Sequence, residues 1–245
     1  MPKRSIVFMY GIASYGVAMC ALVYAMGFVA NVYVPRSIDS PAAHDLTTAL
    51  VVDAALLLAF AVQHSVMARV RFKAWLTRWI PEAAERSTFV LASAFALIAM
   101  FAFWQPLGGL LWRVVDPRLA WLLIGVSACG WLLVLLSTFM IDHFDLFGLR
   151  QVWNYLRGNE RTTGTFRTPG AYRLIRHPLY AGFLTAFWAT PAMTVAHTLF
   201  AVATTGYILV AIQLEERDLI ANFGDTYRRY RTSVSMLLPF LRGPK

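Results

Sequence analysis

Four small groups of residues in this 245-residue chain have the types and spacing to do chemistry. The stretch "RLIRHPLYAG", residues 173–182, runs Arg173, Arg176 and His177 directly into Pro178 at the head of an apolar segment. Proline suits the first turn of a helix. The amide donors there, with two guanidinium groups and an imidazole, make a place for an anion such as a carboxylate. Read alone, the triplet also fits a membrane anchor with a helix cap. Glu215 and Glu216 close another apolar segment. Adjacent carboxylates on a helix point to different faces, so one at most meets a common ligand and the other meets an arginine or water; carboxylates readily accept hydrogen bonds from sugar hydroxyls. Gln63 and His64 lie near the end of a third apolar stretch, where a polar pair is costly unless it faces a bundle interior, a cavity or a partner. Asp142, His143 and Asp145 mark the exit of a fourth. An imidazole titrates near neutral pH and an acid can fix its tautomer, so His64 or His143, oriented by Asp142 or Asp145, suits the removal of a proton. Interhelical hydrogen bonding and a helix-end charge pair are the structural readings of the same residues.

The elements that must position these groups are membrane helices. Of the residues 58% are hydrophobic and 14% charged, and the mean hydropathy is positive, which argues against a soluble globular domain. Stretches of roughly 17 to 25 apolar residues are long enough to cross a hydrocarbon core. They are expected near 6–34, 46–68, 87–104 and 119–141, with two shorter ones near 179–195 and 198–214 that fold back on each other at Pro191, Ala196 and His197. The expected fold is thus an all-α integral membrane protein of five to six transmembrane helices, ending in a helical hairpin whose first arm is too short to span fully. Residues 142–157 place Leu146, Leu149, Trp153 and Leu156 at helical spacing, as in a helix lying along the membrane surface. The following loop takes turns at Gly158, Gly164 and Pro169–Gly170. The tail leaves the last helix and docks again through Leu237, Leu238, Pro239 and Phe240. A four-helix part, 1–141, and a part built from the loop, hairpin and tail, 142–245, are expected to form one integrated domain.

Of 22 lysines and arginines only Arg36, Arg113 and Arg118 fall in the alternate loops. Cytoplasmic loops carry the excess, so both termini and the Arg176 corner are expected on the cytoplasmic side, in a bacterial inner membrane. The net charge of +9 then meets anionic headgroups, with no RNA-binding signature or basic reader helix to suggest nucleic acid. Cys20 and Cys129 lie inside expected spans without disulfide or metal spacing, and no ligand spacing makes a metal site of His64 and His143. The first apolar segment is too long for a signal-peptide core and is expected to be retained. Asp53 is an intramembrane acid without an obvious partner, His44 a loop residue and His197 a hairpin-turn residue.

The order "GAYRLIRHPLYAG", a helical hairpin, "EERDL", then "FGDTYRRY" and a hydrophobic tail resembles, over residues 165–240, the isoprenylcysteine carboxyl methyltransferase and phospholipid methyltransferase superfamily of integral membrane enzymes. The resemblance implies that S-adenosylmethionine is enclosed by Tyr172, Arg176, His177, Tyr180, Glu215 and Glu216. No Gly-x-Gly-x-x-Gly of the soluble dinucleotide-binding kind occurs. The stretches "YAMGFVANVYVPRSID", "FAVQHSVMAR", "ERSTFVL" and "STFMIDHFDLFGLRQVW" resemble the NnrU-like branch and, within it, the bacterial methanethiol S-methyltransferases, over nearly the whole chain. That implies methylation of a small thiol to its sulfide; from the residues themselves, His64, His143 and Asp142 are expected in the catalytic role and Gln63, Asp145 and Arg150 on the substrate side. A larger lipidic acceptor, such as a prenylcysteine carboxylate or phospholipid, and a non-catalytic carrier or scaffold are the other readings; the intact Arg–His–Pro and Glu–Glu elements disfavour the last. The implied partners are the thiol and the bilayer.

Overall fold

In the computed structural model, residues 2–41, 44–159 and 166–239 are described. Arg161 and Gly164 of the expected loop, and Phe240, Arg242 and Lys245 of the tail, lie outside them. The element order is α1 (Pro2–Ala30), α2 (Leu46–Met67), α3 (Val70–Leu76), α4 (Glu82–Phe103), β1 (Leu110–Arg113), α5 (Pro117–Ile141), α6 (His143–Leu146), α7 (Leu149–Arg157), a 3-10 turn (Gly170–Arg173), α8 (Pro178–Trp188), β2 (Ala192–Thr194), α9 (Val195–Phe223) and α10 (Asp225–Ser233). Among the described residues five helices, α1, α2, α4, α5 and α9, are long and apolar enough to cross a membrane. The protein is therefore an all-α membrane protein, as its composition requires. The segment expected over 179–195 is helical only as far as Trp188. Its 11 residues reach about 16 Å, roughly half of a ~30 Å hydrocarbon core. Pro191 follows, and residues 192–194 pair with β1 in a two-stranded sheet that the apolar pattern concealed.

The chain divides into two compact units. The first holds 1–109, 143–163 and 194–197. Here α4 is the central helix, packed against α1 and α2, while α7 lies against α1 and α4. Asp45 caps α2 by accepting from the Thr48 amide at 3.0 Å, satisfying one of the donors a helix start leaves open. Sequence places the end of α1 at 34, but the helix stops at Ala30, because Asn31 and Tyr33 take positive φ and turn the chain back. The expected surface helix is in fact two. Gly148, at φ +90°, separates α6 from α7 at a point where a Cβ would lie 2.7 Å from Ser87 Oγ. Only glycine meets both demands. The buried residue of α7 is Val152, against Gly11 of α1, while Trp153 is exposed. His197, expected in a turn, is buried in the first turn of α9, its amide bonded to Thr194 Oγ1. Asp53 is fully buried and accepts the Gln105 amide at 2.8 Å, a partner no local pattern indicates.

The second unit holds 110–142, 164–193 and 198–245. Its closest helix pair is α5 with α8, brought together by two glycines. A Cβ on Gly130 would sit 2.7 Å from the Gly182 carbonyl, and one on Gly182 would sit 2.7 Å from the Gly130 carbonyl. Small residues let helix backbones approach where lipid supplies no hydrophobic drive. Trp131 then packs edge-on to Phe183 and Phe187.

Candidate active site

The Arg–His–Pro corner belongs to the second unit. The chain enters it from the 3-10 turn through Leu174, and the tail pairs with it. Ile175 and Ser235 form a parallel bridge, the Arg176 amide donates to the Ser235 carbonyl at 2.8 Å, and the His177 amide to Met236 at 3.1 Å. Pro178 then opens α8, as its fixed φ allows. The anion held by this cationic corner is internal. Glu216 Oε1 accepts from Arg176 Nε at 2.7 Å and lies 3.1 Å from His177 Nε2, while its Oε2 is 3.2 Å from Arg231 Nε. Arg176 Nη1 also donates to the carbonyls of Arg231 and Val234. Fully hydrogen-bonded burial of this kind is what a buried ion pair requires.

Glu215 points elsewhere, as adjacency on a helix dictates. Its side chain is 46% exposed against 9% for Glu216, and its Oε2 lies 4.0 Å from His177 Nδ1. It lies in the electrostatic neighbourhood of the Tyr172 and Tyr180 phenols, and the Tyr180 ring is 5.7 Å from that of His177. Burial, then the Glu215 charge, push the Tyr172 phenol up, so it is a neutral donor. Tyr230 donates to the Tyr172 carbonyl at 2.5 Å. Burial holds the Tyr230 phenol up at about 12, with Glu216 adding to the shift and Arg176 opposing it. Tyr227 is buried beside these groups, and among the described residues its hydroxyl has no hydrogen-bond partner.

The first unit holds a separate, largely neutral cluster. His64 of α2 lies with its ring 5.3 Å from Phe60 and 4.8 Å from Phe89, and its Nδ1 is 3.1 Å from Ser93 Oγ of α4. Ser93 gives its own proton to the Phe89 carbonyl at 2.9 Å. A hydroxyl has one donor, so Ser93 accepts from His64, which places the imidazole proton on Nδ1 and the lone pair on Nε2. Gln63 Nε2 is 3.4 Å from the same oxygen, and among the described residues its Oε1 is buried without a hydrogen-bond partner. His143, 4% exposed, meets the Tyr15 hydroxyl through Nε2 at 2.9 Å. Arg86 lies over the opposite chemistry: its guanidinium is 4.9 Å from the Phe89 centroid, and its Nε donates to the Leu146 carbonyl at 2.6 Å. Asp145 is exposed and attracts Arg86 electrostatically. Asp142 is the residue at the C-terminal end of α5, in the second unit. Arg150 stands exposed on α7.

Sequence reasoning missed Ser93, Tyr15, Arg86 and Arg231. Ser93 is one more small residue in an apolar helix and Tyr15 one more interfacial aromatic. Arg86 and Arg231 were counted with the topology-setting cations. The available signal was spacing: Arg86, Phe89 and Ser93 fall at i, i+3 and i+7, one helix face.

No protein-family model matches this chain, and no solved structure matches it. Its likeness to known proteins is nevertheless extensive. It is 51% identical over 239 residues to methanethiol S-methyltransferase 1 of Bradyrhizobium diazoefficiens, covering 98% of this chain and 84% of that one. It is 51% identical over 238 residues to the methanethiol S-methyltransferase of Mycobacterium tuberculosis, covering 97% and 98%. Nurim of Homo sapiens is 33% identical over 193 residues, covering 75% of this chain and 70% of its own. At half identity from end to end, with the Arg–His–Pro and Glu–Glu elements brought together in one structural unit, the chain belongs to the methanethiol S-methyltransferase family.

Proposed function

We propose that this protein is an S-adenosylmethionine-dependent enzyme that methylates methanethiol to dimethyl sulfide, with its cofactor corner on the cytoplasmic side. The near-full-length likeness to enzymes of that name carries the reading. The donor set at the corner suits the cofactor. A molecule with a sulfonium, an ammonium and ribose hydroxyls calls for a carboxylate with aromatic neighbours; Glu215, Tyr172 and Tyr180 supply them. Glu216 is already committed to Arg176, His177 and Arg231, so it holds the corner in shape and leaves Glu215 for the ligand. When bound, S-adenosylmethionine supplies an electrophilic methyl group.

The attacking species must be a thiolate. His64 is preferred to His143 as the base, because its contact with Ser93 puts the ring proton on Nδ1 and leaves the Nε2 lone pair to accept the thiol proton. That nitrogen takes the thiol proton as the S–H bond breaks, and the imidazolium returns it to solvent. Gln63 and the Phe60 and Phe89 rings give a small apolar thiol a mainly nonpolar surrounding with little competing water. The excess of basic residues in alternate loops supports the cytoplasmic placement.

The test is purified enzyme in lipid nanodiscs with S-adenosylmethionine and a panel containing methanethiol, hydrogen sulfide and a prenylcysteine. Dimethyl sulfide and S-adenosylhomocysteine in equal amounts are expected. Turnover of the prenylcysteine alone, or no S-adenosylhomocysteine with any acceptor, overturns the reading.

A further inference from the structure

The first unit carries an open groove of about 660 Å³ between α1 and α7; its Arg150, expected on the substrate side, lies on this outer groove, and neither the His64 cluster nor the Glu216 corner lines it. Phe8 and Ile12 of α1 form one wall, and Leu149, Arg150, Trp153 and Asn154 of α7 the other, with Phe144 of α6 between them. Most of the lining is apolar; Arg150 and Asn154 are the polar exceptions, four residues apart and so on one face of α7. Trp153 packs on Phe8 at 5.5 Å and carries the Arg157 guanidinium 4.7 Å over its ring, while Arg4 of α1 lies over Tyr155. Neither α1 nor α7 contains a single aspartate or glutamate. Arg150 lines the groove, Lys3, Arg4 and Arg157 stand on the same two helices, and Asp145 is the single acid of α6, so basic residues outnumber acids on the three helices that form it.

We propose that this groove binds one anionic glycerophospholipid, its acyl chain along Phe8, Ile12, Phe144, Leu149 and Trp153 and its phosphate at Arg150 and Asn154. Guanidinium groups recognise phosphate through paired N–H donors. Basic residues at a membrane surface draw anionic lipids, and tryptophan favours the headgroup level, where one end of the ring is apolar and the other wet. An apolar trough running to an arginine and an amide matches the upper acyl chain and phosphate of a lipid better than it matches a soluble anion, which has no use for the aromatic wall. The proposal does not depend on the methyltransferase reading.

The probe is the protein reconstituted in phosphatidylcholine vesicles containing the same mole fraction of either bromine-labelled phosphatidylglycerol or bromine-labelled phosphatidylcholine. The Trp153 signal is isolated as the difference between the native chain and Trp153→Phe. We expect the anionic lipid to quench that signal with about fivefold preference, the factor expected of one basic residue at an anionic surface. Arg150→Gln should bring the ratio to about one, and Arg150→Lys should restore most of it. Equal quenching by both lipids, or the same ratio in Arg150→Gln, overturns the proposal. So does protection of Trp153 from both lipids, which would place a second copy of the chain in the groove, and so does displacement by soluble glycerol phosphate.

Discussion

The corner around Glu216 and the cluster around His64 solve opposite problems. At the corner a carboxylate is surrounded by two guanidiniums and an imidazole, with the tail's backbone sealing the arrangement. Around His64 the contacts include a hydroxyl, an amide and two phenyl rings, with the single Arg86 guanidinium over one of those rings. The difference teaches that charge is a framework at the corner, whereas the His64 cluster is the quieter region, held by hydrogen bonds and ring contacts; the proposed function places the charged co-substrate at the first and the thiol proton at the second.

The largest effect should come from breaking the framework. Removing one partner of a buried pair leaves charge uncompensated and costs about 3–5 kcal/mol. Glu216→Gln should accordingly loosen the tail, read as faster proteolysis after Tyr230 together with loss of cofactor binding. If the tail stays protected, the corner is not held by Glu216.

The second test addresses the quieter region. His64→Asn should lower turnover about 100-fold while S-adenosylmethionine affinity, measured by calorimetry, stays the same. Activity should recover as pH rises toward the pKa of the thiol, because solvent then supplies thiolate. A defect that does not respond to pH would remove His64 from the proton step.

A third substitution separates the two glutamates. Glu215→Gln should weaken cofactor affinity about tenfold, the scale of one hydrogen bond to a charged group, with no change in thermal stability because the side chain is half exposed. Equal losses of stability in the Glu215 and Glu216 variants would erase the distinction between ligand contact and framework.

The smallest effect concerns alkaline pH. Tyr230 titrates near 12 in the folded chain and near 10 when unfolded. The folded state thus binds the extra proton in that window, and its contribution to stability, complete below about 10, is lost as pH rises toward about 12. Tyr230→Phe should flatten this limb of a pH–stability curve; an unchanged limb would assign it to other groups.

The helical membrane fold was legible because long apolar runs announce spans irrespective of detail. The corner was legible because Arg176, His177, Glu215 and Glu216 sit in short, ordered motifs. The different surroundings of the two glutamates also followed from their adjacency. What remained hidden depends on tertiary contact. The stop of α1 at Ala30 lies inside continuous hydrophobicity, so only the left-handed turn at Asn31 and Tyr33 defines it. The β1–β2 pairing joins segments nearly eighty residues apart, beyond any local periodicity. The Ser93 contact is equally non-local, since it joins residues on α2 and α4.

The glycine contact between α5 and α8 imposes a genetic restriction. In an ordinary core, an enlargement on one side can be offset by a reduction on the other. Here each glycine faces the carbonyl oxygen of the other at 2.7 Å, and backbone cannot be made smaller by changing a codon. Positions 130 and 182 therefore lack mutual suppressors: a larger residue at either cannot be rescued by any substitution at the other, and the two sites are locked individually rather than as a co-varying pair.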